Sequence, residues 1–341
     1  MKILFVCKRR LDVEEKKTYG LETSASFVVN FLRESGVDVD IGRAFDANDI
    51  DRLVTQSDPT HVVLEALWAT PDKVREILSI KRHKARKWII RIHCRTAFLA
   101  NEGIAFPWIL GYREKIYPVA NNLWIAPNSL DTTKDLREAF GIKTVYLPNI
   151  YCPQKYELPP RVEEKDVLNV GLFGAIRPMK NHLLQALAVV KYANRVGIKA
   201  KVHINGTRLE QRGENCLKNL EAFFQGQNGI HELIKHDWMT HEEFSGLCSQ
   251  MDIGLQVSFS ETFNIVCADL IYNGVPCIGS LPIDWLPNKW QVVNPNDSEE
   301  IFQRMSQALS VFGGLTLWNA RRSLNSWSHK AGRIWLNFLN A

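Results

Sequence analysis

Two short stretches of this chain hold residue types that bind and move charged groups. The first, Asn169 to Asn181, reads as an apolar strand, a glycine turn at Gly171 and Gly174, and two cations, Arg177 and Lys180, directly before a helical stretch. Glycines let a backbone approach a ligand closely, and a helix start flanked by fixed cations suits a diphosphate. The spacing is not Gly-x-Gly-x-x-Gly, and Gly-x-x-x-x-Gly-Lys does not occur, so neither a dinucleotide fingerprint nor a P-loop lies behind it. The second stretch, Ser258 to Asp269, carries acids at Glu261 and Asp269 and continues through Gly274-Val275-Pro276 into a short apolar run.

Such groups are presented at strand ends and helix starts, and the chain supplies both in alternation. Ile3–Cys7, Val37–Ile41, His61–Leu64, Trp88–Ile92, Leu123–Ala126 and Thr144–Leu147 read as strands. Between them Ser24–Glu34, Asp49–Gln56, Pro71–Ser79 and Thr132–Phe140 read as helices, one opened by its proline and one closed by Gly141. Pro148 to Lys165, with four prolines, loses both periodicities. A second series follows: Leu168–Phe173, a helix from about Asn181 to Val196, Lys201–Ile204, helices near Asn215–Phe224 and Glu242–Ser249, and Ile253–Val257. The pattern predicts an α/β protein of two Rossmann-like, doubly wound parallel sheets facing across a cleft, where strand ends bind ligands. The expected organisation is a first domain over 1–150, a linker over 151–165, a second domain over 166–316, and a Trp-bearing helix over 317–341 packing back on the first domain. At 341 residues, two cores are the natural division.

Composition narrows the classes. No apolar run reaches the roughly 18 residues of a membrane-spanning helix, and the opening run breaks at Lys8-Arg9-Arg10, which predicts a cytosolic chain without stable membrane association. The seven cysteines, Cys7, Cys94, Cys152, Cys216, Cys248, Cys267 and Cys277, never form Cys-x-x-Cys, so neither a zinc site nor a disulfide framework is expected. Asp38-Val-Asp40 and Asp49-Ile-Asp51 look like metal-binding strings, but one falls in a strand and the other at a helix start, where acids suit the dipole. No metal and no cofactor is expected.

Taken together, the two stretches resemble the retaining glycosyltransferases of family four, which have the GT-B fold. In that family a glycine turn leads to an Arg and a Lys that hold the donor diphosphate, and a Glu-x7-Glu motif precedes a helix and a Gly-x-Pro turn. Gly174, Arg177, Lys180, Glu261 and Gly274-Val275-Pro276 match; Asp269 stands where the second Glu is usual, and Thr262 and Asn264 stand where a glycine beside the aromatic is usual. The resemblance implies that Glu261 faces the donor sugar. It places the amides of Thr262, Phe263 and Asn264 near sugar and phosphate, and Asp269 on the ribose hydroxyls. The first half is similar more loosely: Arg91-Ile-His-Cys-Arg95 sets His93 at a strand end, where these enzymes present a histidine to the donor sugar, and Ala126–Ser129 and Tyr146–Asn149 match strand ends before the hinge. Thr60–Trp68, Phe98–Gly103 and Phe173–Pro178 resemble a subgroup carried by bacteriophages.

The function that follows is metal-independent transfer of a sugar from a nucleotide diphosphate, a UDP-sugar, with retained anomeric configuration. Arg177, Lys180, Glu261 and His93 are the expected catalytic residues, and the nucleotide-sugar is a substrate rather than a cofactor. The subgroup implies hydroxymethylated cytosine in duplex phage DNA as acceptor and the host cytoplasm as location. DNA would meet Lys8-Arg9-Arg10 and Lys16-Lys17, whereas Lys81 to Lys87 reads as a solvated turn, and Arg95 and Arg113 are weaker contacts. Two alternatives stay open: transfer to a surface or lipid-linked glycan, and non-catalytic binding of a nucleotide-sugar or DNA.

Overall fold

The computed structural model describes residues 1–9, 20–310 and 313–341; Arg10, Lys16 and Lys17 of the basic clusters lie outside them. The chain divides into two compact units, Met1–Pro153 with Trp327–Ala341, and Gln154–Ser326.

The first unit runs β1 (Lys2–Lys8), α1 (Gly20–Glu34), β2 (Asp38–Ala44), α2 (Asp49–Ser57), β3 (His61–Leu64), α3 (Pro71–Ser79), β4 (Lys87–Ile92), α4 (Thr96–Leu99), α5 (Ala105–Lys115), β5 (Leu123–Pro127) and α6 (Leu130–Phe140). Its sheet has the order β2-β1-β3-β4-β5, with each neighbouring pair parallel. A parallel sheet is covered on both faces, so its inner strands are largely apolar while edge strand β2 keeps exposed positions, and the period of two decides which helices each residue meets. Leu4 and Val6 pack with Ile50, Val54, Val74, Ile77 and Ile109 on one face; Ile3, Phe5 and Cys7 pack with Ala25, Val28, Val29 and Leu32 on the other. Helix starts follow their capping residues. Thr70 accepts from the amide of Lys73 with Pro71 at the first turn, and Ser129 accepts from Thr132, each cap stabilising its helix by about 1 kcal/mol.

Thr144–Leu147, predicted as a last strand, is instead an extended edge with one bridge, Ile125 to Thr144. Val145 and Leu147 donate to Ile125 and Pro127, and the pairing then stops because Pro148 has no N–H to give. The carbonyls beyond it are taken by indoles: Trp335 Nε1 donates to Pro148 O at 2.8 Å and Trp327 Nε1 to Asn149 O at 3.0 Å. The amide of Tyr151 donates to Ser328. Ala331, Trp335 and Leu339 complete the second face of the sheet.

The second unit runs β6 (Val167–Gly171), α7 (His182–Val196), β7 (Lys199–Asn205), α8 (Gly213–Gln225), β8 (Glu232–His236), α9 (His241–Ser249), β9 (Ile253–Gln256), α10 (Ile265–Tyr272), β10 (Cys277–Ser280), β11 (Gln291–Val292) and α11 (Ser298–Ala308). The sheet order is β11-β10-β9-β6-β7-β8, again parallel throughout. Helix α12 (Gly313–Asn340) starts in this unit and its last turns belong to the first. Edge strand β8 escapes the sequence reading because its ELIKH run is only half buried and has no apolar face to betray it. No disulfide joins the seven cysteines. Among the described residues, no helix is long and apolar enough to cross a membrane.

Candidate functional site

In the second unit the glycine turn leaves β6 between the ends of β7 and β9. Gly174 sits at φ +110, a conformation that side chains resist, and its amide donates to Asn205 Oδ1 at 2.8 Å. A Cβ added there would lie 3.9 Å from Lys180 Cε, which places the turn beside the cation. Arg177 then enters a 3-10 turn, Pro178–Lys180, and Asn181, at φ 57, leads into α7. Its amide group donates to the carbonyls of Val257 and Pro295, tying the start of α7 to the chain beyond β9. The amide of Phe259 donates to Met179 O at 2.9 Å, and this backbone bond draws the two chemically marked stretches together.

The consequence is a close ion pair: Lys180 Nζ lies 2.5 Å from Glu261 Oε1, with side chains 13% and 9% exposed. Arg177 makes a second, NH1 to Glu210 Oε2 at 3.0 Å, and Arg208 donates to the other oxygen of Glu210. Burial alone would raise the pKa of Glu210, but Arg208 and Arg177 outweigh it and hold the carboxyl below its ordinary value. Glu210 comes from the loop after β7, which sequence reading passed over. Ile176 donates to Arg208 O and Glu210 to Ile176 O, both at 2.9 Å, so the loop lies along the glycine turn as a short parallel bridge. Gln211 and Arg212 follow at φ 48 and 69, strained for residues with side chains, and Gly213 packs so closely that a Cβ would meet Ile176 O at 2.0 Å. Behind the cations His182 is buried, and burial, Lys180 and Arg177 together lower its pKa to about 3, so it carries no charge at neutral pH.

Thr262, Phe263 and Asn264 form the turn into α10. Asn264 holds φ 54, the left-handed conformation that asparagine tolerates better than most residues. Its Oδ1 caps α10 by accepting from Cys267 N at 2.9 Å, and its Nδ2 donates to Gln256, which in turn donates to Phe173 O. The side chain of Phe263 is buried against Trp285, whose indole donates to Phe263 O at 2.6 Å. Asp269 is buried, with Oδ1 3.0 Å from His241 Nε2, and His241 Nδ1 is 3.2 Å from Tyr156 OH. Burial would lower the pKa of His241, but the carboxylate of Asp269 more than reverses this and raises it.

In the first unit His93 follows the end of β4. Its Nε2 is 2.5 Å from Glu65 Oε2, and Arg91 NH1 is 3.1 Å from Glu65 Oε1. Arg91 is fully buried and also donates to Leu147 O and Asn149 Oδ1. Burial and the charge of Arg91 lower the pKa of His93, despite the pull of Glu65 the other way. Burial raises that of Glu65, but Arg91 and His93 outweigh it. A neutral imidazole donating to a charged carboxylate results.

The remaining candidates are drawn into structural pairs. The stretch from Lys81 to Lys87 is a turn whose Lys81, Arg82 and Lys84 are exposed, as expected, anchored by the buried His83; Arg82 and His83 meet Asp51, and Arg86 meets Asp58. Asp49 is paired with Arg52 and Asp40 with Arg33. Arg9 lies over the Phe45 ring, and Arg95 pairs with Asp131. Arg113 donates to Phe140 O. Among the described residues, no group of three or more His, Cys, Asp or Glu side chains is arranged to hold a metal ion.

No protein-family model matches the chain, and no curated protein matches it. Its fold is nevertheless shared by solved structures. Trehalose-6-phosphate synthase OtsA matches over 100% of this chain and 99% of its own, with TM-score 0.72 and 11% identity. Sucrose-phosphate synthase from Thermosynechococcus elongatus matches over 100% and 99%, with TM-score 0.70 and 12% identity. TarM of S. aureus, solved with fondaparinux, alpha-GlcNAc-glycerol and UDP, matches over 86% of this chain with TM-score 0.61 and 12% identity, and the chain spans only 58% of it. These likenesses establish the fold: two parallel-sheet α/β domains that resemble GT-B glycosyltransferase structures.

Proposed function

We propose that this chain is a retaining glycosyltransferase that takes a UDP-sugar in its second unit. One observation carries the reading: the Lys180–Glu261 pair beside the Gly174 turn. It holds a cation and an acid at one spot, each largely covered but with a margin still exposed, so a donor can exchange it for two better matched contacts, Lys180 to the diphosphate and Glu261 to a sugar hydroxyl. Arg177 is the second diphosphate cation, and Asp269 the acceptor of ribose hydroxyl hydrogen bonds. The amides of the 262–264 turn complete the donor contacts, and His93, the histidine that the resemblance assigns to the donor sugar, is held within the first unit by Glu65.

In this mechanism the bond between the anomeric carbon and the diphosphate oxygen breaks, and the electron pair leaves with the diphosphate. Arg177 and Lys180 stabilise the charge that develops there, as preorganised cations do. The acceptor hydroxyl attacks the same face, and its proton passes to the departing diphosphate oxygen. Configuration is retained without a side-chain nucleophile. The nucleotide ligand finds support in the neighbours, since TarM and the pneumococcal O-GlcNAc transferase GtfA were both solved with UDP. The acceptor in this reading is hydroxymethylated cytosine of duplex DNA, which rests on the likeness of Thr60–Trp68, Phe98–Gly103 and Phe173–Pro178 to the phage-borne subgroup.

The test is mass spectrometry of nucleosides from hydroxymethylcytosine-containing duplex DNA incubated with the protein and a panel of nucleotide sugars, with unmodified DNA as control. A hexose or pentose mass on the modified base alone is the expected result. Donor hydrolysis without transfer keeps the donor half of the proposal and moves the acceptor to surface or lipid-linked glycans. Failure to bind or hydrolyse any nucleotide sugar overturns the reading.

A further inference from the structure

The loop after β7 does more than pass from strand to helix. It is hydrogen-bonded along the glycine turn through Ile176, and it delivers Glu210 and Arg208 to the side of Arg177. One carboxylate is shared: Oε2 takes Arg177 NH1 at 3.0 Å, and Oε1 takes Arg208 Nε at 2.8 Å and NH2 at 2.6 Å. Two guanidiniums fastened to the two oxygens of a single carboxylate are held within a few ångströms of each other, against their mutual repulsion. The Arg208 guanidinium also lies over the Trp238 ring, 4.6 Å from its centroid, which fixes its plane from a third element of the unit.

Around the turn Arg177 and Arg208 share Glu210, Lys180 pairs with Glu261, and His182 behind them is neutral. A carboxylate meant only to neutralise Arg177 would need neither a second arginine nor an aromatic plate beneath it. All three side chains, Arg177, Glu210 and Arg208, are 22 to 23% exposed, so the cluster is open to a ligand rather than sealed in the core.

We propose that Glu210 is a positioning residue that holds Arg177 and Arg208 as a paired guanidinium clamp for the diphosphate of a nucleotide donor. The inference rests on the donor reading above and adds to it Arg208 as a binding cation and Glu210 as the residue that aims both arginines. Planar guanidiniums whose orientation is already fixed bind phosphate oxygens with less loss of freedom than lysines do, which is the advantage the clamp confers.

Calorimetric titration of the intact protein with UDP and with UMP separates the possibilities. Wild-type protein is expected to bind UDP more tightly than UMP. Arg208→Ala is expected to weaken UDP about tenfold and UMP less than about twofold, because the guanidinium contacts the phosphate that only UDP carries. Glu210→Gln is expected to weaken UDP by a similar factor, with Glu210→Asp recovering part of the loss and the melting temperature little changed. Tighter UDP binding by Glu210→Gln would make Glu210 a competitor of the phosphate and overturn the proposal. Unchanged binding in both variants would overturn it as well. If the wild type binds neither nucleotide, it is the donor reading itself that fails.

Discussion

In the first unit Glu65 is 2% exposed and accepts from a fully buried arginine and a nearly buried, neutral histidine; in the second, Glu210 joins two guanidiniums, and all three side chains are partly exposed. Glu261 stands between them, with its side chain 9% exposed. The same chemical groups therefore have different tasks. A pair sealed from water cannot exchange partners, because separating it leaves a charge in a medium of low polarity; a pair at a margin can trade its partner for a ligand's charge. The buried set fixes where His93 points, and the partly exposed set is the one proposed to receive an anion.

The strongest way to break the comparison is Glu65→Leu. It leaves Arg91 charged and buried without its carboxylate, and urea unfolding is expected to show a loss of about 3–5 kcal/mol. Adding Arg91→Met removes the stranded charge and is expected to restore much of that loss. Lys180→Ala acts the other way round: turnover is expected to fall by about 10²–10³, roughly 3–4 kcal/mol in the barrier, with stability within about 1 kcal/mol of wild type. Equal losses of stability in both variants would dissolve the distinction between the two regions.

A pH titration sharpens it. His182 has its pKa lowered to about 3, so the native state resists a proton that the unfolded chain accepts near pH 6.5. Its contribution to stability is present above that value and is lost progressively as the pH falls towards 3. Between pH 6.5 and pH 5 the loss from this group is about 2 kcal/mol, and His182→Asn is expected to flatten that part of the profile. The smallest effect belongs to the half-exposed pair of Arg82 and Asp51 in the first unit, where Arg82→Ala is expected to change stability by less than about 0.5 kcal/mol.

How far the sequence could be read follows from how local each signal is. The alternation of strand and helix, the two sheets and the Gly174–Lys180 and Ser258–Asp269 stretches are written in contiguous residues, and the parallel sheets form as that alternation predicts. Glu65 was not singled out, although the signal was there: it follows a fully buried strand, and the register pairing Leu64 with Ile90 sets it level with Arg91. Two charges in adjacent buried strands must meet each other, but the register is known only once the strands are paired. Glu210 and His241 left less trace, because their partners Arg177 and Asp269 lie 33 and 28 positions away and are reached through loop geometry. At Lys81–Lys87 the exposed charges read correctly as a turn, but the acids that meet it, Asp51 and Asp58, lie 31 and 28 positions before Arg82 and Arg86 and could not be assigned to it.

The indoles of Trp327 and Trp335, which take the carbonyls of Asn149 and Pro148, have a bearing on how the protein is made. The sheet that opens the chain lacks Ala331, Trp335 and Leu339 from its second face until the ribosome has traversed all of Gln154–Ser326. At roughly 5–20 residues per second, that interval is on the order of ten to thirty-five seconds. During it that face of the sheet is covered by α1 without Trp335, the ring that meets Phe5, while the intervening unit has its full complement of strands. The earlier-translated unit is thus the later to finish, and during synthesis it is the one that chaperones would find exposed.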